Sequence, residues 1–150
     1  GEVIWNKSAS AGVSCAWGSW KSASNPTLRD VHEYILIFSK GKFKLNRSKA
    51  EKEEGREDTI HKEEFMDWTK SIWDFPTESA KRVGHPAPFP VELPRRCLKL
   101  YSFSGDVVLD PFGGSGSTGV AAKQNGRRFI VFDVNEDYCS LAERRIADEC

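Results

Sequence analysis

The stretch Val107-Val108-Leu109-Asp110-Pro111-Phe112-Gly113-Gly114-Ser115-Gly116-Ser117-Thr118-Gly119 carries the fold of this chain. Val107–Leu109 is a short apolar run that reads as a buried strand, and residues 110–119 form a glycine-rich turn. Val120–Gln124 opens a helix that Asn125-Gly126 ends, glycine being common just past a helix C-terminus. Phe129–Phe132 is the next strand, closing on Asp133. Asn135 caps a last helix that has Glu136 and Asp137 in its first turn and Arg144 and Arg145 near its end. Tyr138, Leu141, Ala142 and Ile146 share one face of that helix. A β–α–β–α unit of this kind predicts an α/β fold with parallel strands.

Upstream of the turn, Val91, Leu93, Leu98 and Leu100 alternate with Arg95, Arg96 and Lys99 in a helical pattern whose first turn accommodates Pro94. His85-Pro86-Ala87-Pro88-Phe89-Pro90 is not helix, since each proline biases its predecessor to extended conformations. Ser71–Phe75 is extended, and Lys62–Lys70 is a short helix with Phe65, Met66 and Trp68 as its apolar residues. Residues 40–64 hold Lys40, Lys42, Lys44, Arg47 and Lys49, then Glu51, Glu53, Glu54, Glu57 and Asp58. They read as a solvated insert whose basic half has phosphate contact as its alternative role. His32–Ser39 is a strand whose unbroken apolar run Tyr34–Phe38 predicts burial on both faces. Glu2–Trp5 is another strand, and residues 8–27 form a long polar loop. Trp5, Trp68 and Trp73 are expected in the core. The chain thus divides into residues 1–41 (two strands and their loop), 42–70 (charged insert) and 71–150 (the α/β part).

Bulk composition narrows the function. Among 150 residues, Lys+Arg and Asp+Glu each number 22, a balance that opposes a free-standing DNA-binding domain. Hydrophobic residues are 39% and mean hydropathy is −0.52, consistent with long solvated segments beside a core. Cys15, Cys97, Cys139 and Cys150 form no CxxC pair and do not cluster with histidines, so no metal site is expected. With no signal peptide and no apolar run long enough to span a bilayer, a soluble cytoplasmic protein is the expectation, with no membrane partner.

Glycines between a strand and a helix let backbone N–H groups approach a nucleotide-like ligand closely, and Asp133, roughly 20 residues on, sits where a ribose-binding carboxylate belongs. Gly114-Ser115-Gly116-Ser117-Thr118-Gly119 matches the dinucleotide pattern G-x-G-x-x-G only formally, because Asp110 just before it would repel a pyrophosphate. A P-loop would need Gly-Lys, which is absent here. A cationic ligand without phosphate fits Asp110 better. S-adenosylmethionine, with its sulfonium, α-amino group and adenosine, is such a ligand.

Val108–Ser117 resembles the Asp-Pro-Phe-x-Gly-Ser-Gly-Thr cofactor motif of the S-adenosylmethionine-dependent DNA amino-methyltransferases, which act on cytosine N4 or adenine N6. Phe129–Tyr138 with Ala142–Ile146 resembles the family's second cofactor motif, and His85–Leu93 the segment that precedes the first. Val3–Lys7 and His32–Lys40 resemble the antiparallel hairpin at the edge of the family's Rossmann-like sheet. The order suits the subgroup in which the catalytic motif precedes the cofactor motif. The resemblance implies that Phe112, Gly114 and Gly116, with Pro111 just before them and Ser115 between the two glycines, line the methionine and adenosine pocket. It implies Asp110 at the methionine amino group, Asp133 on the ribose, and Ser117 and Thr118 near the methionine carboxylate. His85, Pro86 and Phe89 would close the other side. Trp17, Trp20, Lys21 and Arg29, in the loop between the hairpin strands, are the candidate contacts to double-stranded DNA carrying a flipped base.

The family's catalytic Pro-Pro-aromatic signature is absent, since none of the seven prolines are adjacent. No catalytic residue is therefore assigned. The resemblance implies an incomplete Rossmann-like sheet, cofactor binding by this chain, and catalysis that needs an upstream segment or a partner chain. A non-catalytic cofactor- or nucleic-acid-binding module, or half of a split enzyme, is the alternative.

Overall fold

The computed structural model describes residues 1–8, 25, 28–42, 48–50, 54–86 and 88–149. Their strands form two sheets. In the first, β1 (Glu2–Asn6) is central, pairing antiparallel with β2 (His32–Leu36) and parallel with β3 (Ile72–Asp74). The expected edge hairpin is therefore present. Its register places Trp5 beside Trp73, and both are buried. Each indole proton has a carbonyl: Trp5 Nε1 donates to Phe75 O and Trp73 Nε1 to Trp68 O, both at 2.9 Å. Large aromatic rings are tolerated in a core when the N–H finds a partner. The tryptophans expected inside, Trp5, Trp68 and Trp73, are all there.

Two expectations for β2 are corrected. Tyr34, Leu36 and Phe38 are exposed, so the apolar run is not buried on both faces. Among the described residues β2 is an edge strand, and Ile35 and Ile37 are half-buried while Tyr34, Leu36 and Phe38, on the alternate row, are exposed. The strand also ends at Leu36 rather than Ser39. In the helix α1 (Lys62–Trp68), Phe65 and Met66 are exposed and only Trp68 is buried.

The second sheet pairs β4 (Val107–Asp110) parallel with β5 (Arg128–Val131), joined by α4 (Ser117–Gln124). Two earlier helices, α2 (Ala80–Val83) and α3 (Glu92–Tyr101), and a last one, α5 (Glu136–Asp148), complete the order. The four-residue α2 had no sequence signal beyond its Ser79 cap and Gly84 end. Helix α4 begins three residues earlier than its first apolar residue suggests, with Gly116 as N-cap. Val120, Ala121 and Ala122 are fully buried, and Ala121 and Ala122 pack with Leu98 of α3 against Val108 and Phe129. Small side chains at these positions let the helix lie close to the sheet. The opposite face is bare: Val107, Leu109, Ile130 and Phe132 are all about half exposed or more.

The charged insert is not uniformly solvated. Arg56 Nε donates to Asp106 Oδ1 at 2.7 Å, Ser104 Oγ donates to Gly55 O at 2.7 Å, and the Glu57 amide donates to Ser104 Oγ at 2.8 Å. Arg127, 4% exposed, donates to Thr59 Oγ1, Asn125 O, Ser102 O and Ser102 Oγ. Residues 55–59 are thereby sewn to the N-terminal end of β4. Charge runs look solvated in one dimension because their partners lie about 50 residues away.

Candidate functional site

Parallel pairing puts the C-terminal ends of β4 and β5 at one edge, and each end carries a carboxylate. Asp110 is the last residue of β4, and Asp133 lies two residues past β5. Asp110 Oδ1 accepts the Phe112 amide at 3.0 Å and Oδ2 accepts the Thr118 hydroxyl at 2.6 Å, so the carboxylate spans the turn from strand to helix. Asp133 Oδ2 accepts the Gly114 amide at 2.8 Å and Oδ1 accepts the Asn135 amide at 2.9 Å. These backbone donors hold its carboxyl below the usual range. Both acids keep lone pairs beyond those bonds.

Two glycines in the turn are required by their surroundings. Gly114 has φ +50°, and a Cβ there would lie 2.9 Å from His85 Nε2. His85 thus lies over the turn, with its ring edge-on to Tyr138 at 4.5 Å between centroids. Gly116 has φ +80°, and a Cβ there would meet Ala142 Cβ at 2.8 Å and Cα at 2.9 Å. Helix α5 consequently packs against the backbone of the turn itself.

The residues singled out in the sequence separate into groups. Asp110, Gly114, Gly116, Thr118, Asp133 and His85 come together around the turn. Phe112 is 85% exposed, a large apolar ring presented outward, and Pro86 and Pro111 are also exposed. Ser115 and Ser117 are buried; Ser117 Oγ donates to Phe89 O at 2.8 Å, so its proton is committed to holding the 85–90 segment. Arg29 is exposed, whereas Trp17, Trp20 and Lys21 lie outside the described residues. Arg95 and Arg96 lie over the Trp68 ring at 4.9 and 5.3 Å, pair with Glu64 and Glu92, and Arg96 also covers Phe75 at 4.8 Å.

Tyr138 and Arg145 reach the site region, although their helix positions suggested only packing and dipole roles. Tyr138, Ala142 and Arg145 are spaced i, i+4, i+7, and that common face was the available signal. A cavity of about 360 Å³ lined by Gly114, Asp133, Phe132, Cys139 and Glu143 adjoins the strand ends. A larger one, about 480 Å³, lies behind the turn between α2, α3 and α5 and includes none of the predicted site residues. The carboxylates and the glycine backbone converge at the strand ends.

A parallel pair with a glycine turn, two strand-end carboxylates and a helix packed on the turn is the arrangement that nucleotide-type ligand sites of the α/β class use. Residues 1–144 match the N6/N4 DNA methylase family model. The chain is 33% identical over 150 residues to the type II methyltransferase M.MthZI of Methanothermobacter thermautotrophicus, covering 96% of this chain and 42% of that protein. It is 34% identical over 145 residues to M.SmaI of Serratia marcescens, covering 97% of this chain and 45% of that one. It also superposes on the Thermus thermophilus protein TTHA0409, solved in complex with S-adenosyl-L-methionine. There the TM-score is 0.73 and the identity 32%, over 99% of this chain and 52% of that one. The chain belongs to the N6/N4 DNA methylase family. It spans less than half the length of the two curated relatives.

Proposed function

We propose that this chain forms the S-adenosylmethionine site of a DNA methyltransferase acting on an exocyclic amino group, cytosine N4 in the first instance and adenine N6 as the alternative. The observation that carries this is the pair Asp110 and Asp133, held at adjacent strand ends on either side of the Gly114–Gly116 turn. Their chemistry fits the cofactor: carboxylates suit an amino group and ribose hydroxyls and oppose a pyrophosphate. Bound there, S-adenosylmethionine supplies an electrophilic methyl group.

The chain's own residues bind and orient. Asp133, already fixed by two amides, directs its remaining lone pairs at the ribose. Asp110, fixed by Thr118, faces the methionine amino group. The exposed Phe112 ring covers an apolar part of the ligand and excludes water. His85, braced on Tyr138, closes the side above Gly114. Ser115 and Ser117 shape the turn from beneath rather than contacting the ligand.

The residues that accept the target base's amino protons are supplied by a segment preceding this one or by a partner chain, since no Pro-Pro-aromatic sequence occurs here. The bare row Val107, Leu109, Ile130 and Phe132 supports this: an apolar sheet face of that extent calls for cover. By itself the chain would hold cofactor without transferring methyl groups. Double-stranded DNA is the macromolecular partner, with Trp17, Trp20, Lys21 and Arg29 as its candidate contacts and the cytoplasm as the expected setting.

Two measurements test this. Calorimetric titration should show saturable S-adenosylhomocysteine binding and none of NAD; the reverse would overturn the site. Nucleoside mass spectrometry of DNA treated with the full-length protein should show N4-methylcytosine. N6-methyladenine would move the target to the alternative base, and neither product would withdraw the activity.

A further inference from the structure

Arg145 of α5 makes the densest set of polar contacts beneath the turn. Its Nη1 donates to Ser115 O at 3.0 Å, to Ser115 Oγ at 3.0 Å and to Ser117 Oγ at 3.3 Å. Its Nε donates to Glu149 Oε1 at 2.8 Å, one helical turn on, which sets the guanidinium plane. The side chain is 12% exposed. Ser117 in turn donates to Phe89 O at 2.8 Å. A continuous polar path therefore runs from Glu149 through Arg145 and Ser117 to the 85–90 segment, with a branch to the glycine turn.

We infer that Arg145 is a positioning residue for the cofactor site, holding both of its walls, the Ser115 turn and the His85–Pro90 segment, from one guanidinium on the side away from the ligand. This rests on the cofactor-site reading above. Nη1 alone reaches both branches, and the Nε bond to Glu149 fixes its direction; a lysine ammonium offers donors but no second, rigidly linked nitrogen for that anchor, so it replaces Arg145 only in part. Its place near the C-terminus of α5 already suits a cation, which makes the helix dipole a sufficient reason for the charge but not for the fork. The contacts to a backbone carbonyl and two hydroxyls within the turn are what a dipole role would not require. Facing away from the ligand, Arg145 would change how well the site is formed, not the reacting groups.

The test compares Arg145→Met, Arg145→Lys and Ser117→Ala in the full-length protein. For each, the S-adenosylhomocysteine Kd, the S-adenosylmethionine KM and kcat, and the Tm are measured. The expected result is a Kd and KM raised about tenfold or more in Arg145→Met with kcat little changed. Arg145→Lys should recover part of that loss, and Ser117→Ala, which cuts only the path to Phe89, should give a smaller one. Unchanged Kd in Arg145→Met, or a fall in kcat at constant KM, overturns the assignment. If Arg145→Met does not fold, the same criteria apply to Arg145→Lys and Ser117→Ala, and wild-type affinity in both overturns it. Failure of the wild type to bind S-adenosylhomocysteine would instead overturn the site itself.

Discussion

Asp133 accepts the Gly114 amide at 2.8 Å, so the carboxylate that ends β5 is locked to the turn that follows β4. Nineteen residues of chain separate the two, and the bond makes them one structural unit.

That bond has a pH consequence. Asp133 is held below its ordinary value by the Asn135 and Gly114 amides. A depressed carboxyl contributes stability above its unfolded pKa and loses it as pH falls through the folded pKa. S-adenosylhomocysteine affinity should therefore stay level from neutral pH down to about pH 4, the ordinary aspartate range, and fall only below it. Calorimetry across about pH 3.5–8 checks this; a midpoint near neutrality would point to another group.

Asp110→Ala should weaken cofactor binding by about tenfold or more, the loss of a charge-assisted contact. Thr118→Val, which removes the 2.6 Å hydroxyl donor to Asp110, should produce a smaller loss in the same direction. Equal affinity of both variants with the wild type would remove Asp110 from the site.

Gly116→Ala should destabilise the protein by at least about 1–2 kcal/mol, the cost of a left-handed backbone for a residue with a Cβ. The contact with Ala142 adds to it, because the neighbour includes a backbone atom that cannot rotate aside. Urea unfolding reads the change, and cofactor affinity should fall with it as α5 is pushed off the turn.

Arg127→Met should cost about 1–3 kcal/mol by leaving buried acceptors unpaired. Ser102 O and Asn125 O lose their donor, and Thr59 loses its tie to the α/β part. Limited proteolysis should then cut faster between residues 48 and 60. A cleavage rate equal to wild type would mean that Arg56–Asp106 and the Ser104 contacts hold the segment alone.

Trp73→Ala should cost about 3–5 kcal/mol, as large truncations in a core do. Trp73 is 1% exposed and its indole proton is bonded to Trp68 O. Because it lies in the sheet of β1–β3 and away from the turn, the affinity of the folded fraction for S-adenosylhomocysteine should be unchanged.

Much of the local structure is legible in the sequence. The β4–turn–α4–β5–α5 unit follows from short-range chemistry: apolar runs, glycines, and an Asn135 side chain that accepts from Asp137 and Tyr138 amides. The tryptophan core is legible for the same reason, since large apolar rings have few other places to go. The burial expected for Tyr34–Phe38 fails because composition reports how apolar a strand is, while its position in the sheet decides whether anything covers it. That Arg95 and Arg96 cover aromatic rings is not legible in the sequence, because those rings, Trp68, Trp73 and Phe75, lie 21 to 28 residues away in the chain.

The sequence by itself determined the glycine turn, the two strand-end acids and the family to which they point, because each depends on residues within a few positions of one another. Tertiary structure alone decided that Asp133 grips Gly114, that His85 lies over the turn against Tyr138, and that Arg145 reaches Ser115 and Ser117. Those contacts join segments 19 to 53 residues apart, and only the parallel pairing of β4 with β5 and the packing of α5 on Gly116 bring them within hydrogen-bonding distance.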